Sequence, residues 1–223
     1  MPEGEQILRA VELYRFYHAD DEETIALRGV SLSLRAGEMV AVLGPSASGK
    51  STLLACMAGI DDPDGGTVYI GNHRVSRRPE AERAALRARY IGMLFQAGNL
   101  FEVLDVRQNA ELTQRLSGAA DAEHIDHLLD SLGIRHRARA LPSALSGGEL
   151  VRAGLLAALA AKPLVVLADE PTGEVDSETE QRILDLFEEQ CDRGVAMVLV
   201  THSRAVATRA SRVVQLVEGR LAA

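Results

Sequence analysis

The chain has no tryptophan and few aromatic residues of any kind, 4% of 223. That scarcity argues against the base-stacking surfaces of single-strand nucleic-acid binders. It also lacks a basic excess: 32 Asp and Glu stand against 24 Lys and Arg, a net charge of −8. Such a chain repels a polyanion, so no nucleic-acid partner is expected. Cysteine is scarce, and Cys56 and Cys191 lie outside any CxxC or Cys/His spacing. They read as buried thiols of a reducing compartment. No apolar run approaches the ~20 residues that a spanning helix needs, and the opening stretch MPEGEQILRA lacks the basic and apolar regions of a secretory leader. The expectation is a cytoplasmic chain whose membrane role comes through a partner. There is no NKxD sequence either, which disfavours a guanine-specific site.

What is present begins with Gly44 to Ser51, GPSASGKS, which fits G-x-x-x-x-G-K-[ST] at every fixed position. An apolar run of strand type, Met39 to Leu43, precedes it, and Lys50 to Gly59 has helical composition. Gly44 and Gly49 allow backbone N–H groups to turn toward phosphate oxygens, helped by the positive end of the following helix. A P-loop of this kind predicts binding of a nucleoside triphosphate by Gly44, Pro45, Ser46, Ala47, Ser48, Gly49, Lys50, Ser51 and Thr52. Lys50 would reach the β- and γ-phosphates, and the Ser51 hydroxyl would ligate Mg²⁺.

At 223 residues, one α/β domain with an inserted or appended lobe is the expected layout. Residues 6–17 and 25–34 alternate as antiparallel strands, with Gly29 a bulge or kink and the acidic segment His18 to Thr24 a turn. DDPDGG reads as a turn before a strand at Thr67 to Ile70. Arg74 to Arg89 holds six arginines against two glutamates and reads as a solvated helix face, a basic patch for a partner or lipid headgroups being the alternative. Tyr90 to Phe95 is strand-like and runs into Gln96; Asp105 to Gly133 is helical, capped within by Asp121. His124 and His127 have no third ligand in view and read as solvated. LSGGE at 145–149 precedes an apolar helical run from Leu150 to Ala161, and Leu164 to Ala168 is an apolar strand ending at Asp169-Glu170. A helix from Ser177 to Asp192, a strand from Val195 to Val200, the pair Thr201-His202, a short helix and a strand at Val213 to Val217 follow. Strands alternating with helices imply a parallel sheet.

The order GPSASGKS, Gln96, LSGGE, Asp169-Glu170 and His202 resembles the ATP-binding cassette (ABC) ATPases over nearly the whole chain. VLADEPTGEVDS and LFQAGNLFEVLDV most resemble the ATPase subunits of lipoprotein-release and macrolide-export transporters; a cell-division ATPase that drives peptidoglycan hydrolases is also similar. The resemblance implies an α/β P-loop NTPase fold with a mostly parallel core sheet, an N-terminal antiparallel β subdomain and an inserted α-helical subdomain. Residues 1–95 and 163–223 would form the RecA-like core with the β subdomain, and 97–162 the helical part.

An aspartate ending a buried strand beside a phosphate loop can hold Mg²⁺, so Asp169 joins Ser51 as a metal ligand. Glu170, directed elsewhere by strand alternation, is placed over the attacking water as catalytic base. By resemblance, Gln96 reaches metal and water, and His202 and Lys50 contact the γ-phosphate. Ser146 can cap a helix beginning near Glu149, while Gly147 and Gly148 leave N–H groups bare, a second anion site. The family solution for two such sites is a head-to-tail homodimer, in which Ser146, Gly147, Gly148 and Glu149 of one subunit close over ATP held by the other, with Asp176 communicating across. Tyr17 aligns best as the adenine-stacking aromatic, with Tyr14 and Phe16 as alternatives. The family further implies a separate transmembrane permease, received near Ala97 to Leu112, and a place on the inner face of the membrane; an ATPase that transmits force to a cell-envelope enzyme is the alternative output.

Departures from the family pattern are Ala47 for a glycine, expected to be tolerated at negative φ, Leu150, Val151 and Ala157 in the helix after LSGGE, and Glu174-Val175 before Asp176. None removes a phosphate, metal or base contact, so an active ATPase is expected.

Overall fold

The apolar runs of the sequence assemble into one sheet. In the computed structural model, which describes residues 6–19, 22–95, 99–173 and 175–222, five strands run parallel: β3 (Met39–Leu43), β6 (Ile91–Leu94), β7 (Val165–Asp169), β8 (Ala196–Val200) and β9 (Arg212–Val217). Their order is β9-β3-β8-β7-β6, and β10 (Arg220–Ala222) pairs antiparallel on the β9 edge. The central strands are apolar, but for Asp169 at the end of β7, because both faces are covered. Val165 and Leu167 of β7 enter one core and Val166 and Ala168 the other, and β3 and β8 divide in the same way.

The first core lies against an antiparallel sheet of order β2-β1-β4-β5, made of β1 (Gln6–Ala19), β2 (Glu22–Arg35), β4 (Gly65–Ile70) and β5 (His73–Arg74), and includes α1 (Lys50–Met57). The second core takes the apolar faces of α3 (Val106–Ser117), α4 (Ala122–Ser131), α5 (Gly147–Leu159), α6 (Ser177–Asp192) and α7 (Arg204–Arg209). Every residue of α5 from Ala153 to Leu159 is buried, so this helix has no solvated face there.

Several local expectations change. The strands β1 and β2 extend into the segment read as a turn, pairing as far as Ala19 opposite Glu22, because ladder bonds need no apolar side chains. Gly29 is the bulge: Leu13 pairs with Val30 and Tyr14 with Arg28, leaving Gly29 between them at φ 77°. Tyr90 ends a helix, α2 (Glu80–Tyr90), rather than opening a strand. The stretch 105–133 is two helices, since Gly118 at φ 76° terminates α3 and Asp121 caps α4. The arginine-rich helix α2 buries no residue, as a solvated face should, although Arg87 donates to the Gly59 carbonyl at 2.9 Å and ties α2 to the end of α1. His124 is half-buried rather than solvated; its ring nitrogen meets the Leu159 carbonyl and burial lowers its pKa. Among the described residues, no helix is long and apolar enough to cross a membrane.

Candidate active site

Strands β3, β8 and β7 end level with one another, Val42 opposite Val200 and Val200 opposite Asp169. Their carboxyl ends thus share one edge, where open α/β sheets place ligands. From β3 the chain turns through 44–49 into α1, under tight constraint. A Cβ on Gly44 would stand 2.2 Å from the Leu216 carbonyl oxygen, and one on Gly49, at φ 101°, 2.3 Å from that of Ala26. No other residue type fits either place. Lys50 Nζ donates to the carbonyls of Gly44 at 2.8 Å and Pro45 at 2.9 Å, so the ammonium is centred over the loop with one donor left for a ligand. The N-terminus of α1 carries no side-chain cap, which leaves its first N–H groups open to an anion.

Ala47 corrects an expectation: its φ is positive, 61°. The position is the left-handed one that glycine adopts freely, and alanine holds it at a cost of about 1–2 kcal/mol.

The loop and helix floor a cleft of about 470 Å³, whose other walls include Tyr17, Arg28 and the turn Glu218-Gly219. Of the three aromatic alternatives only Tyr17 lines it; the Tyr14 ring packs instead against Gly29 and Gly65.

Ser51 Oγ donates to Asp169 Oδ2 at 2.9 Å. Two hard oxygens at the foot of a phosphate loop suit Mg²⁺, which takes one or two protein oxygens and completes its shell with phosphate and water. Among the described residues there is no cluster of three His, Cys, Asp or Glu that could hold a metal ion. Gln96 lies outside the described residues. Glu170 diverges from Asp169 for a reason other than strand alternation: β7 ends at Asp169, and Glu170 takes φ 46°. Its carboxylate then accepts from Thr201 Oγ1 at 3.0 Å and from His202 Nδ1 at 2.8 Å. The Glu170 side chain is 17% exposed and that of His202 77%, so the imidazole forms the solvent side of the pair.

The turn at 146–149 is built as expected, with its helix starting two residues earlier, at Gly147. Ser146 caps α5 and Glu149 returns to the Ser146 N–H at 2.9 Å, a reciprocal capping box. Arg137 Nε donates to the other Glu149 oxygen at 2.8 Å. The Ser146 N–H first, then Arg137, pull the Glu149 carboxyl down to about 2. Gly148 faces α6, where a Cβ would stand 2.6 Å from Thr179 Cγ2. Thr179 is in turn held by Asp176, which caps α6 and accepts the Thr179 hydroxyl at 2.9 Å. The structure therefore brings Ser146 to Glu149 beside Asp176, and none of these residues lines the cleft at Lys50.

Residues that sequence reasoning missed are those that support the named ones: Thr201 under Glu170, Arg137 under Glu149, and Arg15 with Asp61 around Tyr17. Thr201 had the one available signal, its place between a strand and His202. Arg137 had none.

A phosphate loop at the carboxyl edge of a parallel sheet, with serine and aspartate oxygens at its foot, defines a P-loop nucleoside triphosphatase. The family model for the ABC transporter matches residues 27–173. The chain is 40% identical over 217 residues to the lipoprotein-releasing system ATP-binding protein LolD of Hydrogenovibrio crunogenus, covering 96% of this chain and 94% of that one. It is 38% identical over 222 residues to the uncharacterized ABC transporter ATP-binding protein YbbA of Escherichia coli K12, covering 98% and 97%. Its fold matches the cassette MJ0796, in a dimeric post-hydrolysis state bound to ADP and Pi, with a TM-score of 0.89 at 32% identity over 97% of each chain. The chain belongs to the ABC transporter family, as an ATP-binding and ATP-hydrolysing subunit.

Proposed function

We propose that this subunit works as a pair, two copies meeting head to tail around two Mg-ATP, to drive a separate transmembrane permease from the inner face of the membrane. The observation that carries this reading is that one chain bears two anion-ready turns, 44–51 and 146–148, that do not meet within it. A second copy offers each its complement. The relatives point the same way: LolD is named for a lipoprotein-releasing system and MJ0796 is described as a dimer.

In this reading Lys50 and the loop N–H groups hold the β- and γ-phosphates, and Ser51, Asp169 and Gln96 hold Mg²⁺. When bound, Mg²⁺ supplies charge neutralisation on the phosphate oxygens. Glu170, steadied by Thr201, orients and deprotonates the attacking water, and His202 reaches the γ-phosphate from the same carboxylate. Ser146, Gly147 and Gly148 close on the partner's ATP, and Asp176, beside them, relays the closure. Tyr17 stacks on adenine. The moving parts are a core of 1–95 and 163–223 and a helical subdomain of 97–162.

The permease's place is a groove of about 510 Å³ between α2, β6, α3 and α5, lined by Ala84, Ala88, Met93, Phe95 and Leu116 among others. Within 97–112, Phe101 is 62% exposed and Val103 84%, apolar surface that a permease element would cover. The test is sedimentation of Glu170→Gln with excess Mg-ATP: a dimer is expected, and single subunits at every concentration would end the pairing. Val103→Glu should release a co-expressed permease while leaving that dimer intact.

A further inference from the structure

We propose that Arg15 and Asp61 are positioning residues for the nucleotide base: together they clamp the Tyr17 ring in the attitude that receives it. The proposal rests on the reading of Tyr17 as the stacking aromatic and adds what holds it. Tyr17 stands near the end of β1, beyond the stretch paired with β4, and is 39% exposed, where an unsupported side chain would sample several rotamers. Two contacts remove that freedom. The Arg15 guanidinium carbon lies 4.7 Å from the centroid of the Tyr17 ring and covers one face. At the far end, the Tyr17 hydroxyl donates to Asp61 Oδ2 at 2.8 Å, and Arg15 Nε donates to the same oxygen at 2.8 Å. Face and tip are thus fixed by one three-member network.

The network is anchored beyond itself. Arg15 Nη1 donates to Asp64 Oδ2 at 3.0 Å, the same oxygen accepts the Phe16 N–H at 2.8 Å, and the Asp64 N–H donates to the Tyr14 carbonyl at 2.9 Å. The acidic turn 61–64 follows α1, the helix that starts at Lys50. It therefore sets the distance between the base platform on β1 and the phosphate loop. Arg15 covers one face and does not itself line the cleft that Tyr17 shares with Lys50 and Thr52, so the uncovered face is the one left for a base. Ordering the ring during folding means that binding does not spend that rotamer freedom. The ligand class served is a nucleotide, whose base stacks on the fixed aromatic plane.

The test compares dissociation constants of ATP and of inorganic triphosphate, which has no base, for the full chain and its variants. Tyr17→Ala should weaken ATP about tenfold, the loss of one base stack, and leave inorganic triphosphate unchanged. Asp61→Asn, Arg15→Met and Tyr17→Phe should each weaken ATP about three- to tenfold through lost preorganisation, again sparing inorganic triphosphate. That second ligand also verifies that each variant folds. Combined with Tyr17→Ala, Asp61→Asn should add nothing. The clamp is overturned if Asp61→Asn leaves ATP affinity intact, weakens both ligands alike, or still weakens ATP when Tyr17 is already alanine. Should Tyr17→Ala itself leave ATP affinity unchanged, the stacking role falls, and the clamp with it.

Discussion

His202 donates its Nδ1 hydrogen to Glu170 Oε1 at 2.8 Å, while Thr201 Oγ1 holds the other carboxylate oxygen at 3.0 Å. The carboxylate is therefore fixed from two sides before any water arrives. Glu170→Gln is expected to cut phosphate release about 10²- to 10⁴-fold with ATP affinity retained. Thr201→Val should cut it by a smaller factor, about tenfold, by loosening the carboxylate. Steady-state phosphate release beside nucleotide titration checks both; a Glu170→Gln subunit turning over at the normal rate removes the base assignment.

Lys50 is expected to act in binding. Its ammonium is already oriented by Gly44 and Pro45, and a charge-assisted contact contributes about 1.5–3 kcal/mol. Lys50→Ala should therefore weaken ATP about 10- to 100-fold, read by calorimetric titration.

Gly49 and Ala47 should respond unequally to exchange. At Gly49 an added methyl meets the Ala26 carbonyl at 2.3 Å with φ 101°, so Gly49→Ala should abolish nucleotide binding and lower the melting temperature. At Ala47, φ 61°, glycine relieves left-handed strain while adding unfolded-state entropy. Ala47→Gly should leave stability within about 1 kcal/mol. Thermal melts of the two variants decide the matter.

Glu149 gives a pH signature. Its carboxyl is lowered from 4.5 to about 2 by the Ser146 N–H and Arg137. The folded value lies below the unfolded one, so its contribution is complete above about pH 4.5 and fades as pH falls through 2. The stability difference between the wild-type chain and Glu149→Ala, from denaturant melts, should be present at pH 5 and shrink as the pH falls from about 4.5 toward 2. A difference that persists undiminished at pH 2 contradicts the capping carboxylate.

The thiols should be inert in the native state. Cys56 and Cys191 are buried, and burial pushes both up to about 12. A thiol-reactive dye is expected to modify neither at pH 8 until denaturant is added.

Much of the site was legible because its chemistry is local. Gly44 to Ser51 must be a phosphate loop from eight consecutive residues, and Ser146 is a cap candidate by residue type, whereas the return of Glu149 to its N–H came from the structure. The supporting residues were not legible. Arg137 stands 12 positions from Glu149, and Asp61 44 positions from Tyr17; no periodicity links them. The signs of φ at Ala47 and Glu170 were equally hidden, since both belong to residue types that usually avoid positive values.

The order of residues by itself settled which strands are apolar runs, where the phosphate loop sits and that Asp169 ends one of those strands, because these follow from side-chain period and backbone permissiveness within a few neighbouring positions. Only the tertiary structure decided that Tyr17 rather than Tyr14 lines the cleft, that Asp176 lies beside Ser146 and Gly148, and that Glu170 is turned away by its backbone. Those outcomes depend on which distant segments the two cores press together, and contact across sequence distance is a property of packing, not of any local pattern.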